Sequence, residues 1–203
     1  MWVRVPLPAP LIGFIMTWLV IIFGYLIGAL PTAYLAGRLL RGEDIRQMGD
    51  ENMGAANAYR ELSAWTGITV GIIDAGKGVL AVFIAQASNQ PLAVVFITGI
   101  AAIVGHNWPV FLGFRGGRGE STAIGVLTMV IPQPMLIMAA PTILVLLIVK
   151  NVVIASAVLF VPLSLLSWWF GAQTQVILYS IALPCLVGFT HLLRTRLRVV
   201  REA

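Results

Sequence analysis

Residues 151–193 read NVVIASAVLFVPLSLLSWWFGAQTQVILYSIALPCLVGFTHLL, a run without one Asp, Glu, Lys or Arg. The hydrocarbon core of a bilayer is about 30 Å thick and takes about 20 apolar residues per helix. This stretch therefore holds two crossings, 151–169 and 175–192, parted by the polar linker Gly171–Gln175. Three further uncharged runs, 5–37, 78–114 and 121–149, bring the total to 142 of 203 residues. Only 10% of the chain is charged, against roughly 25% in ordinary soluble domains. A soluble domain of this size has too little interior to hide such runs. The pattern excludes a soluble enzyme, a disulfide scaffold, a disordered chain and a protein with a single anchor. It predicts an all-α, polytopic membrane protein formed as a single domain over 1–203.

The other segments are 11–37, 64–87, 91–108, 121–133 and 135–149, which makes seven crossings, some short or broken. The stretch 121–149 is open to two readings. It is two short helices meeting at Pro132-Gln133-Pro134, or one long helix kinked there, since each proline removes a backbone donor. Basic residues favour the first. With seven crossings, Arg38, Arg41, Arg46, Arg60, Arg115, Arg118, Lys150, Arg194, Arg196, Arg198 and Arg201 share one side, and Arg4 lies opposite. The positive-inside rule makes that side cytoplasmic, with the N-terminus outside and the C-terminus in the cytoplasm. The first apolar run is too long for a signal-peptide core and reads as a retained helix.

The net charge is +5. Thirteen basic residues spread thinly between apolar runs fit inner-side membrane charge better than a nucleic-acid surface. Cys185 is the lone cysteine and sits in an apolar run, so neither an internal disulfide nor a thiolate metal cluster is available. Gly24 and Gly28 are four apart on one helical face, which suits close helix packing in lipid.

Polar residues gather in four places. RGEDIRQMGDENMGAANAYR (41–60) places Gly49, Gly54, Asn52 and Asn57 among charges, a composition fit either for an anion-binding nest or for a solvated connector. Asp74 and Lys77 lie three apart on one helical face inside an apolar segment. Ionisable groups there pair with each other or carry function. HNWPVFLGFRGGRG (106–119) runs into Glu120 and a new helix, and helix-start amides with arginines suit phosphate. No Walker pattern is present. His106 is either a base, a donor to substrate or a structural cap. His191 with Arg194 and Arg196 closes the last helix, and a basic tail beside anionic lipid would look the same. Together they suggest an anion-binding site at the cytoplasmic face for a lipid-like or phosphorylated substrate, without naming a reaction.

In order and spacing these blocks resemble the bacterial acyl-phosphate:glycerol-3-phosphate acyltransferases, small integral membrane enzymes of phospholipid synthesis. Gly28–Tyr34 is similar to the family's GS-x-P-T-x-Y pattern, with Ala29 for serine. Asp44-Ile45-Arg46 matches its DIR element, Gly49–Asn57 its GSGNxGATN block, and Asp74–Gly78 its D-x-x-K-G. His106–Gly119 matches H-x-x-P-V-F-x-x-F-x-G-G-K-G. The resemblance implies transfer of a fatty acyl group from acyl phosphate to the 1-hydroxyl of glycerol 3-phosphate, giving lysophosphatidic acid and phosphate. It implies no metal, no cofactor, no nucleic acid and no obligate protein partner, and it places the enzyme in the bacterial plasma membrane. Arg46, Asn52, Asn57, Arg60, Lys77, His106, Arg118 and His191 are implied as catalytic or phosphate-positioning residues. Gly49, Gly54, Gly116, Gly117 and Gly119 are implied as the backbone cradle. Departures are Asp50 for serine, Glu51 for glycine, Ala56 for threonine, Arg118 for lysine, Arg194 for asparagine and, loosely aligned, Val153 for serine. Asp50 beside a phosphate calls for a compensating partner, either Arg194 or Arg118. The alternatives are a non-catalytic membrane paralogue that binds a lipid phosphate, and a small-anion transporter.

Overall fold

The computed structural model describes residues 9–202, with side chains over 11–196. Arg4 lies outside the described residues, as do the side chains of Arg198 and Arg201. The elements are α1 (Ala9–Gly28), α2 (Thr32–Arg41), α3 (Ala55–Glu61), α4 (Ala64–Ala87), α5 (Leu92–Asn107), α6 (Glu120–Val130), α7 (Pro132–Val149), α8 (Val152–Phe160), α9 (Leu163–Trp169) and α10 (Thr174–Glu202).

Six segments are long and apolar enough to cross a membrane: Leu11–Arg41, Ala64–Ala87, Leu92–Leu112, Pro132–Val149, Val152–Trp169 and Thr174–Arg196. The seventh expected crossing is α6, only 11 residues long. At 1.5 Å per residue it covers about 16 Å, roughly half the hydrocarbon thickness.

Proline sets three breaks. The expected helix 11–37 is two helices, because Pro31 lacks the N–H that would continue α1. The stretch 121–149 divides at Ile131, and Pro132 opens α7 at a first-turn position where a missing donor is harmless. The expected helix 151–169 divides at Val161–Pro162.

Two close crossings fix the bundle. A Cβ on Gly28 of α1 would fall on the backbone of Ala102 in α5, and one on Gly125 of α6 on the backbone of Ala75 in α4. Gly24 meets Thr98 of α5 in the same way, so the small-residue face of α1 is a packing face. Helix α10 is docked on α5 through Tyr179, which stacks on Phe96 at 4.1 Å and donates to its carbonyl at 2.9 Å. The main core joins Val82, Ile103, Val126, Leu127, Leu163 and Leu183. A second, smaller core of Ala33, Ile45, Met53, Ala58 and Val70 underlies the 42–54 loop. That loop is thereby seated on apolar side chains and is not a free connector.

Candidate active site

The break between α1 and α2 holds a buried polar network. The Lys77 ammonium donates to the Leu30 carbonyl and to Asp74 Oδ1, both at 2.5 Å. Thr32 Oγ1 donates to the same carboxylate oxygen at 3.0 Å, and His106 Nδ1 lies 3.8 Å from it. Asp74 is 1% and Lys77 4% exposed. The predicted pair forms, and its structural work is to hold the Leu30 carbonyl at the α1–α2 break, where the backbone donor is the Thr32 amide at 3.1 Å. In one network it ties α1, α2, α4 and α5 together.

The 42–54 loop is built around Asn57, which is fully buried. Its amide nitrogen donates to the carbonyls of Ile45 (3.3 Å), Met48 (3.0 Å) and Asn52 (3.1 Å). Its Oδ1 accepts from the Asp50 amide at 3.2 Å. Asn57 is thus a loop-shaping residue with all its polar atoms engaged inside the loop. Asp44 caps the 3₁₀ turn Ile45–Gln47 through the Arg46 amide and holds the Arg46 guanidinium through both oxygens, the shortest contact being 2.7 Å. Arg46 also donates to the Leu112 carbonyl at 3.1 Å and lies 5.3 Å over the Tyr34 ring. The Arg46 hydrogen bonds hold the Asp44 carboxyl below its ordinary range, against the opposing effect of burial, and the Asp44 carboxylate raises Arg46 in return.

Helix α5 ends with buried carbonyls at 106 and 107 beyond the reach of its own amides, and the glycine run returns onto them. Gly116 N donates to Asn107 O at 3.1 Å and Gly117 N to His106 O at 3.0 Å. Arg194 adds a bond to the same Asn107 oxygen at 2.6 Å, a cation at a helix C-terminus. Gly117 lies directly against the His106 imidazole, which leaves no room there for a Cβ. The amides of Gly116 and Gly117, expected as phosphate donors, are therefore engaged in tying the loop to α5. Thr190 Oγ1 donates to the Arg118 carbonyl at 2.9 Å and pins α10 to the loop.

These pieces enclose an open cleft of about 210 Å³. Arg46, Arg115, Arg118 and Arg194 line it together with Asp44, Asp50, Glu51, Asn52 and Gly116. Asn57, Arg60, Lys77, His106 and His191 are not in its wall, nor are Gly49, Gly54, Gly117 and Gly119. Arg60 reaches its edge through Asp50, with Nη2 3.0 Å from Asp50 Oδ2, and Arg118 Nη1 is 3.6 Å from the same oxygen. Of the two suggested partners of Asp50, Arg118 is in place, and Arg194 shares the cleft. Glu51 has φ +59° and Gly49 φ +56°. Position 51 is thus a left-handed site at which this chain carries a side chain.

Several contacts of residues in these blocks escaped the sequence reading. Arg115 lines the cleft, and Asp44 is the clamp on Arg46. Glu120, at the start of α6, accepts a short hydrogen bond from Ser156 Oγ of α8. Val153, where a family serine was sought, is exposed, and Ser156 one turn on is the hydroxyl that meets Glu120 of α6. The spacing of 36 residues between Glu120 and Ser156 carries no local signal.

Comparison with known proteins follows the same outline. A family model described as glycerol-3-phosphate acyltransferase matches residues 18–198. The chain belongs to this family. Glycerol-3-phosphate acyltransferase 4 of Dehalococcoides mccartyi is 50% identical over 181 residues, 89% of this chain and 98% of that one. A glycerol-3-phosphate acyltransferase of Halalkalibacterium halodurans is 36% identical over 86% and 87% of the two chains. The crystal structure of PlsY (YgiH), an integral membrane glycerol 3-phosphate acyltransferase in its glycerol 3-phosphate form, superposes with TM-score 0.80 at 30% identity, covering 92% of each chain. Its lysophosphatidic acid form gives TM-score 0.74 over the same share. The cleft brings four guanidinium groups together, and guanidinium pairs well with phosphate.

Proposed function

We propose that this chain transfers a fatty acyl group from acyl phosphate to the 1-hydroxyl of glycerol 3-phosphate in a bacterial plasma membrane. The carrying observation is a cleft with four arginines on a chain whose fold matches a protein solved with glycerol 3-phosphate and with lysophosphatidic acid. The hydroxyl oxygen attacks the acyl carbon, and the carbon–oxygen bond to the phosphate breaks. The hydroxyl proton passes to the departing phosphate, so a dedicated side-chain base is not needed. Arg46, Arg115, Arg118 and Arg194 supply positive charge for the two phosphates and hold them in mutual reach, which provides orientation and charge stabilisation. Arg46 enters pre-oriented by Asp44, Leu112 and Tyr34. Asn57 and the Asp74–Lys77 pair act one step back, by fixing the 42–54 loop and the α1–α2 break.

The reading extends to topology: seven crossings, N-terminus outside, the cleft and C-terminus in the cytoplasm. Its support is that Arg46, Arg118 and Arg194 line one cleft. Bringing them to one end takes an even number of crossings between each pair, which counts α6 as a crossing. The basic residues at that end then obey the positive-inside rule.

The test uses palmitoyl phosphate carrying ¹⁸O at the bridging oxygen, with glycerol 3-phosphate and the purified protein in detergent. Lysophosphatidate and phosphate appear in equal amounts, and the label leaves with the phosphate. Free palmitate without lysophosphatidate, or no turnover by folded protein, overturns the reading. For topology, single cysteines at 89 and 172 in a Cys185→Ser background react with an impermeant maleimide from outside the cell, and one at 150 does not.

A further inference from the structure

Asp50 stands out among the acids of the cleft. Asp44 is closed off in a fork-to-fork pair with Arg46, on its own segment of chain. Asp50 bridges two elements: Oδ2 is 3.0 Å from Arg60 of α3 and 3.6 Å from Arg118 of the glycine-rich loop. Its other oxygen accepts from the Asn52 amide at 3.3 Å, and its own amide donates to Asn57 Oδ1 at 3.2 Å. The carboxylate is therefore fixed in place by a loop whose anchor, Asn57, is buried, while about a quarter of its side chain stays open to the cleft.

We propose that Asp50 is a built-in counter-anion, which occupies the Arg60 and Arg118 guanidinium groups in the empty cleft and competes with the phosphate of the incoming substrate for them. The inference deepens the proposed acyltransfer and rests on it. Guanidinium binds carboxylate and phosphate through the same planar fork, so the two ligands exclude each other on one face. A phosphate that enters must pull one or both arginines from Asp50 and then stand close to its negative charge. Both effects weaken anion binding, and they weaken it for the product phosphate as well as for substrates. Asp50 thus sets the affinity of the cleft low and speeds phosphate release, acting on KM and on product inhibition without touching the reacting atoms. The arginines stay aligned between turnovers, because the carboxylate holds them where phosphate is received.

The test is Asp50→Asn, which keeps the acceptor for the Asn52 amide and removes the charge. KM for glycerol 3-phosphate is expected to fall about two- to fivefold, the range of a partly screened charge contact, with kcat within about twofold. The inhibition constant of inorganic phosphate falls in parallel. Calorimetric titration of the full-length protein in detergent with inorganic phosphate reads the same gain without turnover. In an Arg118→Met background the gain shrinks, because one of the contested groups is gone. Glu43→Gln, the same charge change at an exposed position outside the cleft, leaves KM unchanged. An Asp50→Asn protein with unchanged or raised KM and unchanged phosphate affinity overturns the proposal, as does failure of both Asp50→Asn and Asp50→Ser to fold. A wild type that turns nothing over, with Asp50→Asn still binding phosphate more tightly, refutes the acyltransfer and leaves the counter-anion in place. Normal turnover with no effect of Asp50→Asn does the reverse.

Discussion

Lys77→Met is the perturbation that separates a buried structural pair from an exposed one. In the native protein Lys77 neutralises Asp74 and caps the Leu30 carbonyl, both at 2.5 Å. Methionine fills a similar volume but leaves the carboxylate with one hydroxyl donor, Thr32, and the imidazole of His106 at 3.8 Å. It also leaves the Leu30 carbonyl with only the Thr32 amide, at 3.1 Å. Breaking one side of a buried pair costs about 3–5 kcal/mol, because the remaining charge is stranded. Removing both charges in Lys77→Met/Asp74→Leu strands only the Thr32 hydroxyl and the Leu30 carbonyl, at about 1–3 kcal/mol. The double variant is therefore more stable than the Lys77→Met single variant, by about 2 kcal/mol. Thermal unfolding in detergent, read by loss of monodisperse protein, should place the single variant about 10 °C below wild type, at roughly 2–4 °C per kcal/mol for a chain of this length. The double variant recovers part of that drop. A single variant that melts within about 2 °C of wild type, or a double variant worse than the sum of the two singles, refutes the network as the fastener of the α1–α2 break.

Other consequences follow from single residues. Glu51→Gly relieves a left-handed residue and is expected to stabilise the protein by about 0.5–1 kcal/mol, whereas Glu51→Val, β-branched at φ +59°, lowers stability; paired thermal melts check both. Gly125→Ala drives a methyl into the Ala75 backbone and forces α4 and α6 apart; a loss of about 2–3 kcal/mol in thermal or denaturant unfolding is expected. Asp44 titrates lower when folded than when unfolded. Its contribution is therefore complete above the ordinary carboxylate pKa of about 3.9 and is lost as pH falls through the depressed folded value. The stability gap between wild type and Asp44→Asn should be constant from pH 5 to pH 8 and close in acid, and melts across that range decide it.

Much of the fold was legible in the sequence, because lipid imposes a length and a composition on every crossing. The apolar segments located α4 and α5 to within a residue and α7 to within three, whereas α10 starts where expected but continues to Glu202, ten residues past the expected end at 192. The breaks at Pro31 and Pro162 were missed, since hydropathy passes smoothly over a proline in an apolar run. At Pro132 the polar neighbour Gln133 and the second proline made the break visible. The site was legible where it is contiguous: Asp74 and Lys77 pair as an i,i+3 spacing dictates, and 41–60 and 106–119 do meet. Sequence order does not tell which polar atoms are consumed internally. Asn57 and the amides of Gly116 and Gly117 look like phosphate donors on paper, yet they bond to Ile45, Met48, Asn52, Asn107 and His106. Contacts across the bundle, such as Glu120 with Ser156 or Arg194 with Asn107, depend on helix packing and leave no periodic trace.

The central claim is that the arginine-lined cleft is where acyl phosphate meets glycerol 3-phosphate. Its most direct measurement is the initial rate of lysophosphatidate formation from palmitoyl phosphate by wild type and by Arg118→Met, on samples with matching melting profiles. The account predicts steady turnover by wild type and a loss of about a hundredfold or more in the variant, the scale of removing one charge-stabilising donor. An inert wild type, or a variant as fast as wild type, contradicts it.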